Sequence, residues 1–363
     1  MSIPLSEKPI SESDLQQPET PKSMDERQPP PIEKPRTRWP KFALRLLCTI
    51  LLLAFLFHSF SWSNVLQKLQ HIDDGEVIVA VIVGIIGVVL SAYQWQSLLD
   101  GERIRMDLRR LINLYFIGIS FNHFLPTGMG GDVVKAYYVG REAHNTVGSA
   151  SAVIMSRVTG FAGMLLLTIP TLIIWHTLFS TWIMITFGIA CLIMCSALVC
   201  VYFMAALLPG FIKGKWATYR SVKSVLAIGL TLRESLKHPK ALCIAIAFGF
   251  LFHVSAALNY YGFATLLHMH IPLPFYLIAV PLVSLIAFLP TTINGYGLRE
   301  NAFIGIFASM HVDIATATAL ILLMDAQGIF FGVVGGILYL LRHEKKTTEI
   351  PDNHTVSMQK QVA

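Results

Sequence analysis

Long stretches without Asp, Glu, Lys or Arg alternate with short charged clusters along most of the chain. Residues 77–90 and 161–208 are two such stretches. The second is long enough for two bilayer crossings at roughly 20 residues each. Neither shows the period-two alternation of a barrel strand. Lipid offers no partner to exposed backbone groups, so the crossings are read as helices. About six full transmembrane helices are expected, near residues 41–60, 77–99, 153–175, 182–208, 241–267 and 314–341.

The charged clusters orient these spans. Arg36, Arg38, Lys41 and Arg45 precede or open the first. An acidic stretch, Asp73, Asp74 and Glu76, separates it from the second, which ends before Arg103, Arg105, Arg109 and Arg110. Arg342, Lys345 and Lys346 follow the last span. Basic loops face the cytoplasm, so both termini are expected there.

Two apolar segments do not read as simple crossings. Residues 111–140 contain Phe124-Leu125-Pro126-Thr127 followed by Gly128, Gly130 and Gly131. Pro removes a backbone donor and Gly weakens helix, so a continuous crossing is not expected. The segment begins and ends beside basic residues, which predicts a re-entrant hairpin open to the cytoplasm. Residues 275–300 contain Phe288-Leu289-Pro290-Thr291, then Asn294, Gly295 and Gly297. Charge bookkeeping requires this segment to enter and leave from the outside. The fold class expected is thus an all-α polytopic membrane protein with two opposed broken segments in an inverted repeat. Paired Gly/Pro-interrupted segments in corresponding halves point to a transporter site.

Composition agrees with this reading. Hydrophobic residues make up 54% and charged residues 14%, against about 25% charged in a soluble domain; the mean hydropathy is +0.59. The formal charge of +6 sits beside apolar runs, which suits an anionic lipid surface and argues against nucleic acid. The five cysteines lie inside apolar runs and read as small buried hydrophobes. Residues 1–40 are polar and Pro-rich and are expected to form a disordered cytoplasmic tail. Residues 41–342 form the membrane domain, and 343–363 a second cytoplasmic tail. Residues 213–240 carry seven Lys or Arg with interleaved apolar positions, either an amphipathic interfacial helix or a helix packed on protein. The first apolar run starts behind a long polar tail and lacks a small-residue cleavage site, so no cleaved signal peptide is expected. No metal motif, nucleotide loop or nucleophile elbow is visible, and no cofactor is expected. Oligomeric state is not legible.

Candidate binding residues cluster at the broken segments. Lys135, Arg141 and Arg299 are cations suited to a lipid phosphate, beside helix ends rich in free N–H groups. For Lys135 and Arg141, positive-inside anchoring is the competing reading. An ion pair with Glu300 alone does not account for Arg299, since neighbours on a helix do not face each other. Asp132 and Glu300 orient these cations or take up a proton, with helix capping the alternative for Asp132. Asn294 offers an amide to a headgroup or relieves a turn. Asp325 sits in the middle of the last span, either as a proton site or as a neutral interhelical partner. Asn122, His123, Pro126, Gly130, Arg157, Pro290 and Gly297 complete the set. His253 and Asn259 read as interhelical bonds.

The stretches Phe121-Asn122-His123-Phe124-Leu125-Pro126, Gly130-Gly131-Asp132-Val133-Val134-Lys135-Ala136 and Leu289-Pro290-Thr291-Thr292-Ile293-Asn294-Gly295-Tyr296-Gly297-Leu298-Arg299-Glu300 resemble the flippase-like transmembrane family, also called the lysylphosphatidylglycerol synthase transmembrane region. The resemblance spans roughly residues 40–342. It implies an integral inner-membrane protein handling a phospholipid or a polyprenyl-phosphate-linked substrate. In aminoacyl-phosphatidylglycerol members the region resembles a lipid-translocating module joined to a cytosolic transfer domain. About 22 residues follow Leu341, too few for such a domain, so a member without it is expected. A lipid translocase is the leading expectation. A lipid-modifying membrane enzyme and a non-transporting accessory protein are the alternatives.

Overall fold

The computed structural model describes residues 74–124, 130–178, 237–287 and 295–348, with Thr292, Arg233 and scattered positions within 47–67 and 181–203. Eight α-helices lie in the continuous stretches: α1 (Asp74–Gly101), α2 (Leu108–Phe124), α3 (Gly130–Glu142), α4 (Thr146–Ile174), α5 (Pro239–Leu266), α6 (Leu273–Ala287), α7 (Leu298–Ala308) and α8 (Ile314–Thr348). Local chemistry sets several starts. Asn145 Oδ1 accepts the Gly148 N–H at 2.9 Å ahead of α4. Pro239 opens α5, where its missing N–H costs nothing.

Four helices are long and apolar enough to cross a membrane: Gly75–Gly101, Thr146–Ile174, Pro239–Leu266 and Ile314–Arg342. The expectation of six is therefore corrected to four among the described residues. The remaining two expected spans, 41–60 and 182–208, fall largely outside them, as does most of the 213–240 segment. Pro126, Pro290 and Asn294 also lie outside.

The helices expose apolar side chains and join one another through apolar cores that hold a few polar contacts. Ile78, Val79 and Ile82 of α1, Leu251 of α5, and Ile329, Phe330 and Val333 of α8 are exposed. Between helices, Gln94 donates to Thr159 Oγ1 and to the Ser156 carbonyl, both at 3.0 Å. Asn259 donates to Gln327 Oε1 at 2.6 Å, and Gln327 to the Ala80 carbonyl at 3.2 Å. Such bonds are worth about 0.6 kcal/mol each on average in a bilayer, and they fix register. Cys191 is buried, whereas Cys200 and Cys243 are exposed, so the reading of all the cysteines as buried does not hold for those two.

The halves repeat. Each runs long helix, two-helix hairpin, long helix: α1, α2–α3, α4 and then α5, α6–α7, α8. The hairpins cross over, so that α2 packs on α8 and α6 on α4. The long helices α1 and α5 are antiparallel. Ser97 reaches the Ala241 carbonyl, Tyr93 stacks on Phe248 at 5.2 Å, and Ser255 reaches the Val83 carbonyl. The first hairpin follows the C-terminus of α1 and the second follows the C-terminus of α5, so their mouths open at opposite ends. Arg103, Arg105, Arg109, Arg110, Arg141, Lys237 and Lys240 lie at the end where the first hairpin opens. Arg342 joins them there through Glu142 at 3.5 Å.

Candidate functional site

Both broken segments are hairpins whose arms meet through glycine. In the first, a Cβ on Gly131 would fall onto the carbonyl of Gly118, and Gly118 also faces the stem of Lys135. The arms touch backbone to backbone there, and one turn further on Lys135 meets Tyr115. Gly295 lies against Ala287 in the second hairpin, and Phe275 packs on Phe307 at 5.6 Å nearer its mouth. Gly295 and Gly297 have φ of 78° and 80°, a region that residues with a Cβ adopt only under strain. The turn therefore needs glycine at both positions.

The first hairpin presents a charged cluster. Asn122 Oδ1 accepts the Gly131 N–H at 2.8 Å, so a side chain of α2 satisfies the start of α3. Asp132 lies in the first turn of α3. It is an ion-pair centre there, not the N-cap that was its alternative reading. Its Oδ1 is 2.9 Å from Lys135 Nζ, and its Oδ2 accepts Arg157 Nε at 2.8 Å and Nη2 at 2.5 Å. Lys135 is buried, with its ammonium 4.0 Å from the Tyr115 ring centroid and 5.4 Å from that of Trp95. Cation–π contacts of this kind are worth about 2 kcal/mol when desolvated. The cluster holds two cations and one carboxylate. It lines a cavity of about 280 Å³ that also draws Gln94, Asn122, Ser156, His253, Phe252 and, from the second hairpin, Ser284.

The second hairpin carries the opposite balance. Arg299 donates to Glu300 Oε1 at 2.9 and 3.1 Å and to Asp325 Oδ1 on α8. Glu300, nearly fully buried, accepts the Gly297 N–H at 2.5 Å. This departs from the expectation that adjacent residues avoid each other. The Glu300 carboxylate turns back over the open end of α7 to cap it, and the long Arg299 side chain meets it there instead of along the helix side. One cation thus stands between two carboxylates.

The hairpin tips meet. The rings of His123 and Tyr296 contact edge to face at 6.5 Å between centroids. His123 also lies over Gly328 and Gly332 of α8, and its Nδ1 is 3.0 Å from the Ile119 carbonyl. Tyr296 lies under Arg299, at 5.8 Å.

The structure brings Asn122, Asp132, Lys135 and Arg157 to one cavity, with Gly130 buried at the start of α3. Gly297, Arg299, Glu300 and Asp325 gather in the second cluster, with His123 between the two. Arg141 is not part of either. It is exposed in the last turn of α3 and bonds Tyr137 of its own helix at 3.4 Å. Its distance from the cavity follows from helix geometry, because it stands six positions on from Lys135, about 9 Å along the axis. Gln94, Ser156 and Tyr115 were not foreseen as cavity residues; Gln94 stands among other polar residues, Ser91, Gln96 and Ser97, near the end of its span. His253, read as an interhelical residue, does bond the Gly160 backbone of α4; it is buried and also faces the cavity. A larger cavity of about 670 Å³ lies at the opposite end, bordered by His268, His270, His311 and Asp313.

Two antiparallel half-bundles with opposed hairpins whose tips meet define an inverted-repeat, multi-pass membrane protein. The family described as the lysylphosphatidylglycerol synthase TM region matches residues 42–336, and the chain belongs to that family. It is also similar to a UPF0104 membrane protein of Methanothermobacter thermautotrophicus. The two are 23% identical over 305 residues, covering 77% of this chain and 88% of the relative. No solved structure matches.

Proposed function

We propose that the protein is an inner-membrane lipid translocase for a phospholipid or a polyprenyl-phosphate-linked lipid, with the headgroup phosphate taken up at the Lys135–Asp132–Arg157 cluster. The observation that supports this most is the cavity itself. It joins two cations to a membrane-depth recess with both polar and apolar walls, as a headgroup with attached chains requires. The positive balance favours an anion, and Arg157, half-exposed, offers a guanidinium suited to bidentate phosphate contact. Asp132 holds both cations ready. The opposed hairpins supply the geometry for exposing one site alternately to each side. By the positive-inside rule, the end carrying the arginine clusters faces the cytoplasm.

The test is reconstitution in liposomes of phosphatidylethanolamine and phosphatidylglycerol. Fluorescent phosphatidylglycerol and fluorescent polyprenyl phosphate serve as tracers, with dithionite reporting the exposed leaflet. The expected result is protein-dependent movement of at least one tracer, reduced about tenfold or more by Lys135→Gln or Arg157→Gln. That loss corresponds to about 1.4 kcal/mol or more. Movement of neither tracer by the wild-type protein sinks the reading. A new lipid formed from a labelled donor by the purified protein would favour a modifying enzyme instead.

A further inference from the structure

The two hairpins are not copies in charge. The first cluster has one more cation than carboxylate, and the second has one more carboxylate than cation. A net negative cluster is a poor phosphate site. It also sits where charge is costly: Asp325 is the twelfth residue of the 29-residue span Ile314–Arg342, roughly 17 Å from its start at ~1.5 Å per residue. That is near the middle of a core about 30 Å thick.

The two carboxylates of this cluster have different surroundings. Glu300 is nearly fully buried and receives the Gly297 N–H at 2.5 Å as well as two Arg299 contacts. Those three donors, at the N-terminal end of α7, occupy its carboxylate. Asp325 has 20% of its side chain exposed, and among the described residues its hydrogen-bond partner is Arg299. The groups facing it from the packed elements are Arg299 and Glu300 of α7 and Tyr260 of α5; Tyr296 of the turn lies against Arg299, and His123 of α2 against Tyr296. Glu300 with Arg299 makes a neutral pair by itself, so Asp325 is the charge left over.

We infer that Asp325 is the proton-carrying group of the protein, binding one proton per transport cycle, and that the second hairpin is the coupling element for the lipid site of the first. The inference rests on the translocase reading above. When Asp325 is ionised, it ties Arg299, and with it α7, to α8. A proton from water on one side forms the Asp325 O–H bond, removes the excess charge and frees Arg299 from α8. Release of that proton to the other side restores the tie. Arg299 lies against Tyr296, Tyr296 touches His123, and the adjacent Asn122 caps the helix that bears Asp132. The attachment of the second hairpin thus reaches the phosphate cluster through a short run of contacts.

The experiment uses the full chain in the same liposomes, with the phosphatidylglycerol and polyprenyl phosphate tracers. Tracer distribution is read with and without a gradient of about one pH unit, and entrapped pyranine reports proton movement. One proton per lipid shifts the steady-state distribution by up to about tenfold per unit. Wild-type protein is expected to show that shift. Asp325→Asn, which keeps an oxygen for Arg299, is expected to remove it and the tracer-dependent pyranine signal, while Asp325→Glu retains part of both. If the wild-type protein moves tracer but its distribution ignores the gradient, the coupling is overturned and the translocase reading stands. A full gradient response in Asp325→Asn likewise overturns it. Absence of tracer movement at any pH overturns both.

Discussion

Replacing Gly131 with alanine tests the hairpin geometry on which the first cluster depends. The new methyl group would meet the O, C and Cα atoms of Gly118. Backbone atoms have no rotamer through which to yield, so the arms must separate. Adding a methylene to a close-packed site costs about 1–3 kcal/mol, and a backbone neighbour places this site at the upper end. Parting the arms also weakens the Asn122 bond to the Gly131 N–H, a further ~1 kcal/mol. Against this stands a helix-propensity gain of about 1 kcal/mol for alanine over glycine. The expected net loss is about 3 kcal/mol. Gly305 of α7 is the internal control, since nothing lies within 4 Å of its Cβ position. Gly305→Ala should be neutral or stabilising by up to about 1 kcal/mol. Unfolding in mixed micelles with increasing SDS, followed by tryptophan fluorescence, reads both variants. Tracer movement should also fall at least tenfold in Gly131→Ala, because Asp132 moves with the separated arm. Wild-type stability in Gly131→Ala, or equal losses in the two variants, would refute the close-approach argument.

Two further outcomes are expected. Gln327→Leu leaves Asn259 without its partner at 2.6 Å and removes the bond to the Ala80 carbonyl, so the same SDS titration should show a loss of about 1–2 kcal/mol; an unchanged midpoint would contradict the interhelical assignment. Arg141→Ala should leave tracer movement within about twofold of wild type, since the side chain bonds its own helix outside the cavity and exposed pairs are worth under about 1 kcal/mol. A tenfold loss would return Arg141 to the binding residues.

Sequence alone determined four of the six expected apolar spans, the two interruptions and the end at which the arginines gather. These are local properties: hydropathy, the missing donor of proline and the weak helix propensity of glycine act within a few residues, and lipid allows few alternatives. The opposed hairpin orientation also followed, because each charge cluster constrains its neighbours in order along the chain. The pairing of charges belonged to tertiary structure. Asp132 meets Arg157 from the next helix, and Arg299 meets Asp325 from α8, across separations that no local pattern encodes. Helix phase decided that Lys135 turns inward to Tyr115 while Arg141 turns out, although both read as cations of one segment. The cap on α3 came from Asn122 across the break, and the contact of His123 with Tyr296 required both halves to fold against each other. What the chain order could not express is which long-range partners share a cavity, because that depends on the crossing of α2 over α8 and of α6 over α4.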